Sequence, residues 1–141
     1  MVRLQAVLRA VGASASERGG MGVRVQGWHD DAYSFGDTNT KERVRFDERD
    51  GPVACGSLPA NPWGFHEMHG NVWEWVEDAY AAYPKEAGGQ EAVEGDAPPH
   101  RVLRGGSWFN NTYNVRSSIR SGTTPDVTND NVGFRVARDP L

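Results

Sequence analysis

Asn61-Pro62-Trp63-Gly64-Phe65-His66-Glu67-Met68-His69-Gly70-Asn71-Val72-Trp73-Glu74-Trp75 is the stretch from which the fold can be read. Its character changes at Gly70-Asn71. Before that dipeptide, Pro62, Gly64 and two histidines give no sustained apolar period, as in an ordered loop. After it, Asn71 to Val76 alternates between two faces, the period of a strand launched from the Gly70-Asn71 turn. Trp73 and Trp75 share one strand face and can stack against the same neighbours. With Trp63 and Trp108 they bring a large apolar payload to a small chain and read mainly as core, with a sugar-stacking platform as the alternative use.

Working outward, Arg101-Val102-Leu103-Arg104 predicts a short strand ending at Gly105-Gly106. Val132, Phe134 and Val136 alternate with Gly133, Arg135 and Ala137 and predict a final strand. Between these two strands lies a polar stretch with no apolar periodicity, and long irregular segments in compact domains are usually functional or disordered. Residues 84–100 are acidic and rich in Pro and Gly, a surface loop by composition. At the other end, Leu4, Val7, Leu8 and Val11 share one helical face, and residues 12–22 are small, polar and Gly-rich. The chain therefore divides into an N-terminal helix and flexible linker (1–22) and a main domain (23–141). Residues 23–50 are charged and irregular, with Trp28, Tyr33, Phe35 and Phe46 as isolated anchors.

At 141 residues the chain is about one domain. Seventeen glycines, eight prolines and five tryptophans fit many turns and a few large anchors. A formal net charge of −4 with dispersed basic residues argues against nucleic acid or an anionic membrane as partner. Arg3, Gln5 and Arg9 interrupt the first apolar run, so neither a membrane span nor a signal peptide is read there, and cell surface and cytoplasm both stay open. The single cysteine, Cys55, excludes an intrachain disulfide and a Cys-based zinc site, and it reads as a small buried residue.

The stretch from Asn61 to Trp75 resembles the signature of the formylglycine-generating, sulfatase-modifying family. Arg104-Gly105-Gly106-Ser107-Trp108, Arg116, Arg120, Thr124-Pro125-Asp126 and Gly133-Phe134-Arg135-Val136-Ala137 follow in the family's order. Tyr33-Ser34-Phe35-Gly36-Asp37 echoes a Tyr-Pro-Trp-Gly-Asp element further upstream. The resemblance covers roughly residues 53–138 and implies an α+β, C-type-lectin-like fold of small twisted antiparallel sheets with much ordered loop. Family domains usually run longer, so the upstream half is either shortened or missing.

The resemblance also frames the chemistry. Family enzymes that oxidise a sulfatase cysteine hold copper(I) with two cysteines just after the Gly-Gly-Ser-aromatic element. Here that region reads Trp108-Phe109-Asn110-Asn111-Thr112-Tyr113-Asn114, with no thiol. No copper is expected, no residue is assigned a catalytic role, and a sulfatase-modifying oxidoreductase or its accessory domain is the alternative. The iron-dependent sulfoxide synthases of the family take ligands largely from a helical domain with no counterpart here. His66 and His69 sit in a loop and read as hydrogen-bonding histidines rather than metal ligands. Family members can hold calcium near the strand entry, and the matching groups are the side chains of Glu67 and Glu74 and the carbonyls of Gly70 and Val72. A structural Ca²⁺ is the expectation there, with a plain turn and a buried glutamate salt bridge as the competing reading. Arg104, Arg116, Arg120 and Arg135 are expected to pair with Glu74, Asp78 or Asp126.

Residues 109–131 resemble the variable region of proteins diversified by retroelements, which share this fold and its Gly-Gly-Ser-Trp frame. Those systems randomise template adenines, often in Asn codons, and such codons cannot yield Lys, Glu, Gln, Met or Trp. These five types fill 22 of the 141 positions, so an even spread would place about three or four in this 23-residue stretch; none occurs. The stretch also lies near the C-terminus, with ten residues after Asn131. Ordinary loops favour Asn, Ser, Thr, Gly and Asp as well. The resemblance implies a non-catalytic protein that binds a protein or glycan ligand through Phe109, Asn110, Thr112, Tyr113, Ser118, Ile119, Ser121, Thr123 and Asn129. Aromatic contact with little entropy to lose, joined to adaptable hydrogen bonding, is the palette of a paratope.

Overall fold

The structure, a computed structural model, describes residues 31–80 and 100–136. The helix and linker read into residues 1–22 and most of the acidic loop at 84–100 lie outside the described residues. Four strands form one sheet in the order β3-β2-β1-β4. Strand β1 (Trp73–Ala79) is the longest, β2 spans Arg101–Arg104, β3 Ser121–Thr123, and β4 Val132–Gly133. β1 and β2 are antiparallel, with Trp75 opposite Leu103 and an irregularity before Ala79 meets Arg101. β2 and β3 are antiparallel, whereas β4 runs parallel to β1, with Trp73 opposite Val132. The helical element among the described residues is one 3-10 turn, Thr112–Val115, capped by the Asn111 side chain.

Strands β1 and β2 stand where the alternation placed them. The polar stretch is more ordered than its composition indicates, because it holds both the 3-10 turn and β3. Gly122 makes β3 possible: the Tyr80 ring lies where a Cβ would project, so any larger residue would collide with it. The final strand is shorter than predicted. It ends at Gly133, leaving Phe134 and Val136 71% and 64% exposed.

The core also differs from the tryptophan-centred expectation. Trp63 is exposed and Trp73, Trp75 and Trp108 are half-buried. The buried apolar set is instead Tyr33, Val44, Met68, Val76, Val102, Leu103 and Val115. Val76, Val102 and Leu103 come from the two central strands. Tyr33, Val44 and Val115 form a cluster with Ala32, Phe35 and Phe46 against it, so the irregular segment 31–46 supplies two of these buried residues and the three that pack on them. Cys55, expected to be buried, is exposed beside the turn at Gly56.

The ordered loops meet at His69-Gly70-Asn71. Gly70 has φ +69° and its α-carbon lies against the Arg45 carbonyl and the Val44 side chain, leaving no room for a Cβ. Its N–H donates to Gly105 O at 2.8 Å, and the Asn71 N–H donates to Arg45 O at 2.9 Å. Asn71, itself left-handed at φ +63°, accepts Trp108 N–H on its carbonyl and Val53 N–H on its side chain, both at 2.8 Å. Asparagine tolerates this backbone region better than other non-glycine residues. Three distant segments are thus joined at the entrance to β1.

Candidate functional site

Beyond the sheet, residues 107–119 are held chiefly by their backbone. His69 is 3% exposed and its Nδ1–H donates to Val115 O at 2.8 Å. The donor assignment follows from the other ring nitrogen, since Nε2 accepts the Ser34 N–H at 3.0 Å and lies 3.1 Å from the Ser34 hydroxyl. Tyr33 and Phe35 both meet the imidazole edge-on at 5.5 Å. Burial holds the His69 pKa below its ordinary value, partly opposed by the bond to Val115. Arg104 reaches from the end of β2 to donate to Ile119 O at 2.7 Å and Ser117 O at 3.4 Å. Ser117 N–H donates to Ala32 O, and residues 47–48 donate to the carbonyls of Asn110 and Trp108. Gly106, at φ +75°, packs directly against Asn114 O and Val115.

Side chains of the stretch divide into two groups. Phe109 and Tyr113 are 53% and 59% exposed, and Ser118 and Asn129 also face solvent. Ile119, Ser121 and Thr123 are half-buried; Ser121 and Thr123 sit on β3, an edge strand. Asn110, half-buried, and Thr112, exposed, also hydrogen-bond to the scaffold. Asn110 Oδ1 accepts from the Ser107 N–H and hydroxyl, both at 2.9 Å, and the Thr112 hydroxyl donates to Asn39 and lies 3.0 Å from the Tyr33 hydroxyl.

Arg104 and Arg116 bind carbonyls rather than the expected carboxylates. Arg135 follows the expectation: its Nε lies 2.9 and 3.1 Å from the two Glu74 oxygens, and its Nη2 donates to Glu74 Oε1 at 2.6 Å and to His66 O at 2.9 Å. Those hydrogen bonds raise the Arg135 pKa, so the guanidinium stays charged. Arg104 binds carbonyls, Arg116 donates to Tyr113 O and covers the Tyr113 ring at 3.9 Å, and Arg120 lies over Tyr80 at 5.0 Å. A planar fork suits carbonyls and ring faces as well as carboxylates.

The two carboxylates expected to hold calcium, Glu67 and Glu74, have other partners. Glu67 accepts Gly56 N–H on one oxygen and Leu58 N–H on the other, at 2.8 and 2.9 Å. Glu74 is enclosed by Arg135, whose positive charge would oppose a dication at the same carboxylate. Arranged in this way, Glu67, Gly70, Val72 and Glu74 do not fit a calcium site. His66 Nδ1 lies 2.7 Å from Leu58 O, so both histidines act as hydrogen-bonding residues. Among the described residues no cluster of three or more His, Cys, Asp or Glu could hold a metal ion.

Sequence reasoning missed Arg49, which lies over the Phe109 ring at 4.8 Å. It sits in a charged, irregular segment with no motif, and only the pairing of residues 47–48 with 108–110 brings it there.

Comparison with known proteins matches residues 14–140 to the sulfatase-modifying factor enzyme 1-like domain. The chain is 37% identical over 109 residues to a serine/threonine-protein kinase pkn1 of Chlamydia caviae, covering 75% of this chain and 18% of that protein. It is 34% identical over 110 residues to the formylglycine-generating enzyme of Bos taurus, covering 74% and 28%. It is also 36% identical over 84 residues to the inactive C-alpha-formylglycine-generating enzyme 2 of Bos taurus, covering 56% and 24%. The chain therefore spans less than a third of the length of these relatives. Among solved structures, Treponema denticola variable protein 1 matches with a TM-score of 0.65 and 25% identity, over 81% of this chain and 43% of that one. The fold is thus the C-type-lectin-like one of formylglycine-generating enzymes.

Two outcomes follow from the geometry. A histidine held neutral in the native state leaves stability complete above its unfolded pKa, near 6.5. Below that pH the unfolded chain binds the proton first, so stability is lost as pH falls toward and through the lowered native value. The melting temperature should fall on acidification through this window, and His69→Gln should flatten that part of the profile; an unchanged slope would remove His69 from the account. Millimolar Ca²⁺ should leave the melting temperature unchanged, whereas a rise reversed by chelator would restore the calcium reading.

Proposed function

The chain belongs to the sulfatase-modifying factor enzyme 1-like family, and from that premise we propose that it is a non-catalytic, ligand-binding member. In this proposal residues 109–131 form a hypervariable face on the C-type-lectin-like scaffold, diversified by a retroelement, and the ligand is a protein or a glycan. The observation that carries it is the backbone grip. His69 and Arg104 hold the carbonyls of Val115, Ser117 and Ile119, contacts that do not depend on the side chains at those positions. A segment fixed through its main chain can exchange exposed side chains at little cost in stability. Likeness to a variable protein supports the same reading.

Against catalysis stands the chemistry of residues 108–114, which offer copper(I) no soft ligand and thiol exchange no nucleophile. Exposed Cys55 is the sole thiol of the chain, so the pair used by the oxidising enzymes cannot be assembled from its own residues. A family relative is itself described as inactive. The second reading, an oxidoreductase of the formylglycine-generating type or its accessory domain, draws on the likeness to the Bos taurus enzyme.

Sequencing the DNA around the gene separates the two. The proposal expects a near-copy of the codons for residues 105–135 that differs almost only at adenines, beside a reverse-transcriptase frame. A sulfatase or biosynthetic operon with no such copy would put the accessory reading first.

A further inference from the structure

The exposed rings of the binding face are each covered by a guanidinium. Arg49 lies 4.8 Å over Phe109, and Arg116 lies 3.9 Å over Tyr113. Both arrangements are fixed by backbone. Residues 47–48 donate to the carbonyls of Asn110 and Trp108, which sets the segment carrying Arg49 beside Phe109. Arg116 follows the 3-10 turn directly, and its Nε–H donates to Tyr113 O at 3.1 Å. Trp108 meets the Phe109 ring edge-on at 5.7 Å, so this ring is held on two sides.

Stacking on a ring uses the face of a guanidinium and leaves its N–H edge for acceptors. Among the described residues neither Arg49 nor Arg116 has a carboxylate partner. The nearby Glu48, by contrast, is engaged by Lys41 at 3.0 Å and Arg45 at 3.7 Å. From Phe109 to Arg120 the stretch contains two arginines and no acidic residue, in a chain of net charge −4. The face thus combines two half-covered aromatic rings with two guanidiniums that have no carboxylate partner among the described residues, although Asp47 and Asp50 flank Arg49 in the chain, and it offers N–H edges to carboxylate beside apolar area.

We propose that Arg49 and Arg116 belong to the binding face and that its ligand is an acidic peptide segment, whose carboxylates the two guanidiniums receive while Phe109 and Tyr113 pack on neighbouring apolar side chains. The proposal rests on the reading of residues 109–131 as a binding face and adds Arg49 from outside that stretch. Because stacking restricts both arginines and both rings beforehand, less freedom is lost when a ligand docks.

The test is selection of a displayed random short-peptide library on the immobilised full chain at low salt. Binders should be enriched in Asp and Glu and should weaken as salt rises. Their affinity should fall about tenfold or more on the Arg49→Gln/Arg116→Gln double variant, recover in part with Lys at both positions, and fall again when peptide Asp or Glu is changed to the amide. A melting temperature measured beside each variant separates lost contacts from lost fold. Binders that are neutral or basic, or that bind the double Gln variant as tightly as the parent, would overturn the acidic-ligand inference and leave the binding face standing. No binders at all would overturn the acidic-peptide inference, and binders insensitive to Phe109→Ala/Tyr113→Ala would overturn the binding face as well.

Discussion

His69-Gly70-Asn71 is the constraint on which the remaining structure depends. Three consecutive residues bind six partners from distant parts of the chain: His69 takes Ser34 and Val115, Gly70 takes Gly105, and Asn71 takes Arg45, Val53 and Trp108. Each identity has a physical cause. Only glycine fits against the Arg45 carbonyl, asparagine tolerates the left-handed backbone while its amide bonds Val53, and neutral imidazole both donates and accepts. A small domain with short strands and much loop has few regular ladders with which to satisfy its buried backbone. This tripeptide performs that task where the loops converge.

Its consequence is a division of roles along residues 104–123. Scaffold side chains bind main-chain carbonyls, glycines admit close approach, and Ser107 and Asn110 close the turn through their own hydrogen bonds. Phe109, Tyr113 and Ser118 are left outside this network. Backbone recognition is indifferent to side-chain identity, so a rigid path and a variable surface coexist in one segment. The Glu74–Arg135 pair performs a similar service on the opposite side of β1, tying the chain after β4 to the His66 carbonyl. The same pair accounts for why a family-type calcium arrangement does not fit these residues.

Legibility in the sequence followed the strength of local signals. Strands β1 and β2 could be read because alternating residues are bounded by Gly-Asn and Gly-Gly turns. The stretch 109–131 could be picked out by what it lacks. Strand β3 was hidden because Ser-Gly-Thr has no apolar period, and its place is set by Tyr80 lying against Gly122. The core was misjudged because burial here depends on where loops fold over the sheet. Tyr33 and Val44 are covered by distant segments, whereas the larger tryptophans remain partly at the surface. Arginine partners were equally out of reach, since guanidinium chemistry fits carbonyls, rings and carboxylates alike. Asn110 and Thr112 illustrate the residual ambiguity of a polar loop, where one amide or hydroxyl serves a ligand or the scaffold with no difference in sequence.

The central claim is that main-chain contacts, and not the exposed side chains, hold the binding stretch. Comparing the melting temperature of the Phe109→Ala/Tyr113→Ala/Ile119→Ala triple variant with that of Gly106→Ala tests it most directly. A methyl at Gly106 meets Asn114 O in a left-handed backbone, so this single change should lower the melting temperature by about 10 °C. The triple variant, despite removing far more apolar surface, should melt within about 3 °C of the parent. A large drop in the triple variant with little effect at Gly106 would contradict the account, because it would make those three side chains the core that holds the segment in place.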